Sequence, residues 1–293
     1  MHFDPAHLSA LAAIVRHGSF DLAAATLGVT PSAVSQRIKA LEEQAGTALI
    51  IRGQPCTATM AGARLVRHAE DVALLQARVI SQLSPGKAGT EQPVVRLAVN
   101  ADSLATWLVP ALSRVDGVLW DLVIDDQDHA ADWLRRGDVS AAVSGHPGPV
   151  PGCDSTALGA LRYIATASPG FVARWFPDGL TTGTLSAAPV LAFSAKDRLQ
   201  HRWITQMTGE RLSPPTHRMA STHAFIDAAL AGIGWGMNPE DLVCSHLASG
   251  DLVALAPDAP LDVPLFWQVS RLMKPALQPL NTAIRDAAAA RLQ

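Results

Sequence analysis

Apolar residues near the start of the chain recur at helical spacing. Leu8, Leu11, Ala12 and Val15 fall on one face, and Val34, Ile38 and Leu41, at i, i+4 and i+7, form a second stripe. Between the stripes Ser19 suits a helix N-cap, Asp21 sits in the first turn where its charge favours the helix dipole, and Gly28 ends the segment. Thr30 then caps a new helix, and Pro31 takes its first position, where a missing N–H costs nothing. Residues Phe20 to Lys39 therefore predict two short helices joined by a tight turn. From Thr59 the period changes: Leu65, Val72 and Val79 repeat every seven residues, with Ala69, Leu75 and Leu83 near the complementary positions, so a long helix carries an apolar seam. After Ser84-Pro85-Gly86-Lys87-Ala88-Gly89, which reads as a linker, the texture alternates between strand and helix. Strands are expected at Val94 to Val99, Val118 to Ile124, Val139 to Ser144, Val190 to Phe193, near Arg218, near Trp235 and at Leu265 to Val269. Helices are expected at Asp102 to Ser113, His129 to Arg136, Arg198 to Met207, Thr222 to Ala231, from Glu240, and at Pro275 to Leu292.

On the helix opened by Pro31, the residues Ser32, Gln36, Lys39 and Glu43 point away from the buried stripe, with Ser35 on the flank. Such a short, polar face suits a helix-turn-helix, whose second helix sets its N-terminal residues against base edges in the major groove. An αα-hairpin inside any α/β domain can look similar. The next segment favours the first reading: Thr47 to Ile51 is apolar, Arg52-Gly53-Gln54-Pro55 is a turn, and Cys56-Thr57-Ala58 is extended again, which makes a wing. The expected DNA contacts are Thr30, Pro31, Ser32, Ser35, Gln36, Lys39 and Arg52. The run PSAVSQRIKALE, followed by a wing and a long helix, resembles the winged helix-turn-helix of LysR-type bacterial transcription regulators. The seam residues Leu65, Val72, Leu75 and Val79 then become candidates for a homodimer or homotetramer interface, with packing on the helix's own domain as the alternative.

Composition narrows the class only a little. A chain of 293 residues, 48% hydrophobic and 17% charged, suits two or three domains with proper cores. No apolar run reaches membrane-spanning length, and the first residues carry no basic leader, which fits a cytoplasmic protein with no membrane partner. Cys56, Cys153 and Cys244 are odd in number and widely spaced, so neither a disulfide framework nor a structural zinc is expected. Charge argues weakly for nucleic acid. Through Leu83 there are seven Lys or Arg and six Asp or Glu, a balance of +1 within a total of −3. A basic footprint is the usual mark of a DNA binder, so here the motif carries the expectation and a dimer would double the few phosphate contacts.

The alternating half predicts a βαβαβ unit that occurs twice, and hence two doubly wound α/β lobes with a hinged cleft of periplasmic-binding-protein type. The expected fold class is α/β with an N-terminal all-α winged helix-turn-helix. The DNA-binding part spans 1–58, a linker and dimerisation helix 59–84, and a flexible linker 85–93. The remainder, 94–293, is expected to bind a small effector, with lobe one at 94–165 plus 264–293 and lobe two at 166–263. The chain would cross between lobes near Ala165 and near Val263.

In such sheets ligands sit at the carboxyl ends of strands, where helices begin. Asn100, Asp102 and Ser103 occupy such a place, and free N–H groups there favour a carboxylate, with hydroxyl donors from Ser103 and Thr106. Asp102 itself reads most simply as a helix cap, and the whole group could be a plain capped helix. Asp125 and Asp126 close the next strand and suit an ammonium or guanidinium group; a solvated acidic loop is the alternative, since Asp128 and Asp132 follow. Ser144 closes the third strand. From the other lobe, Ser221, Thr222 and His223 begin a helix that should face the same cleft, and Ser194 to Asp197 ends a strand beside it.

The stretches VNADSLATWLVPAL, LRRGDVSAAVS, GIGWGMNPE and the pair Phe266-Trp267 resemble the lysine- and arginine-responsive (ArgP/LysG) branch of the same family. That resemblance implies lysine or arginine as effector, no further cofactor, a gene for amino-acid export as target, a double-stranded DNA operator, and RNA polymerase as a further partner. The branch tends to carry an acidic residue where His223 stands, so a weaker pairing with a basic effector is implied at that position. Other motifs carry less. Gly232, Gly234 and Gly236 have the wrong spacing for a dinucleotide fingerprint, Ser84 to Lys87 lacks the companions of a penicillin-binding pattern, and no nucleophile elbow or Walker motif is present. An α/β enzyme with a helical extension and a DNA-bending protein with a vestigial cleft remain as alternatives to the effector-controlled regulator.

Overall fold

The computed structural model describes residues 2–83 and 92–293; the expected linker around Ser84 to Gly89 lies outside them. Contacts divide the chain into two units, one running through Val95 with Gly117–Trp120 added, the other Arg96–Asp116 with Asp121–Gln293.

In the first unit three helices, α1 (Pro5–His17), α2 (Phe20–Leu27) and α3 (Pro31–Ala45), are followed by strands β1 (Ile50–Ile51) and β2 (Thr57–Ala58) and by α4 (Met60–Leu83). Each of the first three helices starts on a side-chain cap: Asp4 accepts from the Ala6 N–H, Ser19 from Leu22 and Thr30 from Ala33. Each ends on a left-handed glycine, Gly18, Gly28 or Gly46. The two apolar stripes meet in one core of Leu8, Leu11, Ile14, Ala23, Val34, Ile38, Leu41 and Leu49. Glu42 then fixes the start of the wing, since its carboxylate accepts the Leu49 N–H at 2.8 Å. Gly62 brings α4 against β1 so closely that a Cβ there would overlap the Leu49 carbonyl oxygen. Leu65 differs from expectation. It packs with Val66 and Ala69 against the helix-turn-helix core, so the seam begins beyond it. Val79, half exposed at 52%, and Leu83 are left uncovered on the same helix.

The rest of the chain, most of it in the second unit, forms one seven-stranded sheet and a two-stranded one. Strands β3 (Val94–Val99), β4 (Leu119–Ile124) and β5 (Ala141–Ser144) lie where the alternation placed them, and β3 and β5 are parallel, Leu97 opposite Ala141. A long strand β6 (Cys153–Ala167), absent from the sequence reading, is added to these. The small sheet holds β7 (Val190–Ala192) and β8 (Thr216–Arg218), parallel to each other; β9 (Gly236–Pro239) and β10 (Val253–Ala254) flank the far end of β6. Finally β11 (Leu261–Ser270) runs antiparallel to both β5 and β6, so the large sheet is mixed, in the order β10-β6-β11-β5-β3-β4. Helix 278–291 packs on helix 101–112, and its Asn281 accepts the indole N–H of Trp267 at 2.8 Å. The stretch 101–112 is a helix broken by a π-turn at Leu104–Leu108. Helices Pro169–Trp175 and Thr182–Ala187 also went unread in the sequence.

Candidate functional sites

The recognition face of the first unit is assembled by short-range forces. Pro31 and the Thr30 cap set where α3 starts, and burial of Val34 and Ile38 turns Thr30, Pro31, Ser32, Gln36 and Lys39 outward, all exposed. Ser35 is half-buried on the flank. Lys39 keeps a loose pairing with Glu43 at 3.8 Å, both well exposed, and such a contact adds little stability and leaves the ammonium free to move. At the base of the wing the guanidinium of Arg52 lies 5.3 Å from the centre of the Phe20 ring, which holds the side chain over the start of α2. A helix led by small polar residues, beside a wing with a supported arginine, has the parts needed for base contact and phosphate contact respectively.

In the second unit a cavity of about 360 Å³ is lined by Asn100, Asp102, Asp125, Asp126, Phe193, Lys196 and Asp197 among others. That volume falls in the usual range for small-molecule pockets. Asn100 sits at the carboxyl end of β3 and opens helix 101–112 without a side-chain cap; it is buried, and its Oδ1 has no partner. Asp102 is not the helix cap it was expected to be. Its carboxyl group instead accepts from the Tyr163 hydroxyl of β6 at 2.8 Å and from the Thr222 hydroxyl at 2.9 Å, tying together residues 61 and 120 positions apart. Burial pushes the Asp102 carboxyl above its ordinary pKa, against the opposing pull of those two hydrogen bonds. Burial beside Asp102 likewise drives the Tyr163 phenol well above its ordinary value, so it stays a donor.

Asp125 and Asp126 are not a solvated loop. The Asp125 side chain is only 18% exposed; its Oδ2 accepts from the Trp133 indole at 3.0 Å and its Oδ1 from Lys196 Nζ at 2.9 Å. Burial alone would raise its pKa, but hydrogen bonds from Lys196, Trp133 and the Asp126 N–H outweigh it and hold the carboxylate below the usual range. Asp126 goes the other way: burial raises it, helped by the charges of Asp128 and Asp197 and only partly offset by the Asp128 N–H. Asp197 is buried and accepts the N–H groups of Phe193 and Leu199.

The remaining expected residues lie elsewhere. Ser103 is fully buried behind the cavity lining, and its hydroxyl has no partner. Thr106 spends its hydroxyl on the Asp102 carbonyl within its own helix, at 2.7 Å. Ser144 is buried and accepts the His146 N–H. Thr222 reaches the site only through Asp102, while His223 is exposed and outside the lining, so the histidine at that position does not fall on the cavity wall. Tyr163, Phe193, Lys196 and Asp197 were not singled out as site residues in the sequence, although the segment holding the last two was placed beside the cleft. Only the pairing of Tyr163 with Asp102, and of Lys196 with Asp125, gives them away, and neither is local.

A winged helix-turn-helix followed by an α/β unit with a small acidic cavity defines a class: a DNA-binding regulator with a built-in receptor for a small molecule. Residues 5–63 match the family described as bacterial regulatory helix-turn-helix protein, lysR family, and residues 88–289 match the LysR substrate binding domain. The HTH-type transcriptional regulator LysG of Mycobacterium tuberculosis is 44% identical over 97% of this chain and 93% of its own length. The crystal structure of ArgP from Mycobacterium tuberculosis superposes with a TM-score of 0.79 at 42% identity, covering 100% of this chain and 99% of that one. LysG of Corynebacterium glutamicum, a lysine export transcriptional regulatory protein, is 39% identical over 97% of this chain and 98% of its own. Its full-length structure with bound effector Arg has a TM-score of 0.65 and covers 99% of both chains. The chain belongs to the LysR family of DNA-binding transcriptional regulators, in its ArgP/LysG branch, and is not an enzyme. Among the described residues no helix is long and apolar enough to cross a membrane.

Proposed function

We propose that this regulator senses a basic amino acid, lysine or arginine, in the cavity of its second unit, and that occupancy changes its grip on an operator controlling an amino-acid exporter gene. One observation carries the reading: among the described residues that line the cavity, four aspartates face a single lysine. A low-dielectric cavity with that balance favours a ligand of net positive charge. Asp125 or Asp126 takes the distal cation. The first turn of helix 101–112, at Ala101 and Asp102 in the lining, takes the α-carboxylate, which the N–H groups of a helix start favour, while the Asp102 carboxyl is held by the Tyr163 and Thr222 hydroxyls. The similarity to a relative solved with arginine supports the same choice.

The part over 1–58 contacts DNA and 94–293 binds the effector, its lobes meeting where β6 and β11 run side by side. Helix 59–84 pairs with a second copy through Val72, Leu75 and Val79, giving a homodimer or homotetramer that works in the cytoplasm with RNA polymerase as a further partner. Calorimetric titration of the full-length protein with lysine, arginine and norleucine tests the effector. Binding of the two basic amino acids well above norleucine is expected; equal binding of all three removes the acidic lining as the basis of recognition.

A further inference from the structure

The ammonium of Lys196 already occupies the place that a basic effector would seek. Lys196 Nζ lies 2.9 Å from Asp125 Oδ1, while the Trp133 indole holds the other oxygen of the same carboxylate and fixes its direction. Both partners line the cavity, and they belong to segments 71 residues apart, the end of β4 and the loop after β7. The lysine side chain is 51% exposed and the aspartate 18%. One partner is therefore held in place, whereas the other sits on a flexible stem with solvent to retreat into. The remaining charged groups of the lining are Asp102, Asp126 and Asp197; Asp197 is committed to two backbone N–H groups and Asp102 to two hydroxyls.

We propose that Lys196 is a resident competitor, an internal stand-in for the effector's distal cation, which an incoming lysine or arginine must displace from Asp125. This rests on the basic-effector reading above and deepens it. Displacement exchanges one ammonium–carboxylate pair for another, so much of the electrostatic gain of binding is cancelled and affinity is set low. A neutral amino acid has no cation to offer in exchange and leaves the internal pair intact. Lys196 thereby weakens the binding of both basic ligands and narrows their margin over neutral ones, which tunes the sensor to high effector concentrations.

The test is calorimetric titration of full-length protein, wild type and Lys196→Met, with arginine, lysine and norleucine. Methionine keeps the unbranched apolar stem and removes the charge. The proposal expects Lys196→Met to bind arginine and lysine roughly three- to tenfold more tightly, the range between an exposed and a partly buried ion pair. Norleucine binding should stay within a factor of two of wild type, roughly the scatter of such contacts. The gain should shrink to near nothing when Asp125→Asn is already present, because the competition acts through that one carboxylate. Unchanged affinity for arginine in Lys196→Met would overturn the proposal. So would weaker affinity, which would make Lys196 a direct ligand for the effector's carboxylate, and so would a gain that persists in the Asp125→Asn background. Each of these results leaves the basic-effector reading standing, as long as wild type prefers arginine and lysine to norleucine. Loss of that preference in wild type removes the reading itself, and the resident competitor with it.

Discussion

Replacing Asp102 probes the junction on which the acidic cavity is built. Its carboxyl group is buried and accepts hydroxyl hydrogens from Tyr163 at 2.8 Å and Thr222 at 2.9 Å. Asp102→Asn keeps a carbonyl acceptor, and its amide can donate to a rotated hydroxyl, so both partners stay satisfied. Asp102→Ala leaves two buried hydroxyls without a partner, and at about 1–3 kcal/mol for each unsatisfied group the alanine variant should be about 2–6 kcal/mol less stable than the asparagine one. Comparing those two variants removes the ionisation of the carboxyl group from the difference. That ionisation is read separately. Because burial raises the folded-state pKa of Asp102 above the ordinary 3.8, the folded chain binds more protons than the unfolded one between the two values. The stabilisation from this group is complete below 3.8 and is lost as pH rises through the folded value, so wild type should lose ground to Asp102→Asn as pH increases. Other carboxylates, such as Asp125 and Asp262, move in the opposite direction but are common to both proteins and cancel. Urea unfolding followed by tryptophan fluorescence between about pH 4 and pH 8 measures both effects. A wild-type minus asparagine difference that stays flat with pH, or an alanine variant as stable as the asparagine one, would refute the assignment of Asp102 as a buried, hydroxyl-bound carboxyl.

The other expectations concern the first unit. Gln36→Ala should weaken binding to specific sequence by about 1–3 kcal/mol per lost base contact, whereas Arg52→Ala should weaken all sequences alike and flatten the salt dependence; anisotropy titrations on specific and random duplexes separate the two. Gly62→Ala should lower the stability of the winged unit by about 1–3 kcal/mol, because the overlap with the Leu49 carbonyl outweighs alanine's helix propensity, and a raised melting temperature would contradict this. Val79→Asp should dissociate the dimer in sedimentation without unfolding the monomer, since Val79 is 52% exposed on one chain; an intact dimer moves the interface elsewhere. Leu65→Asp should instead unfold the winged unit, because that leucine packs on its core.

What could be read from the sequence divides by the range of the interaction. The helix-turn-helix was legible because its determinants are local: caps at Ser19 and Thr30, a proline at the first helical position and a left-handed Gly28 lie within a turn of what they control. The three strands β3, β4 and β5 were legible as short apolar runs. Leu65 was misplaced because a seven-residue repeat does not say whether its first member faces a partner chain or its own core. Strand β6 escaped because small and polar residues, Asp154 to Thr156 and Gly159 among them, break its alternation, and its pairing skips register between Leu265 and Phe266 of β11. At the site, strand ends pointed to Asn100, Asp125 and Asp126, but the role of Asp102 depends on Tyr163 and Thr222, and that of Asp125 on Lys196. Those partners are fixed by topology, and a cap geometry is the natural reading of an aspartate at a helix start until the fold supplies the hydroxyls.

We propose that a basic amino acid in the acidic cavity controls DNA binding. A gel-shift titration tests it most directly, using the full-length protein and an operator fragment selected by the protein from a random duplex library, with and without lysine, arginine or norleucine. The account predicts that lysine and arginine change the affinity or the mobility of the complex while norleucine does not, and that Asp125→Asn combined with Asp126→Asn abolishes the distinction. Sequence-specific complexes that respond to none of the three amino acids, or to all of them equally, would contradict it.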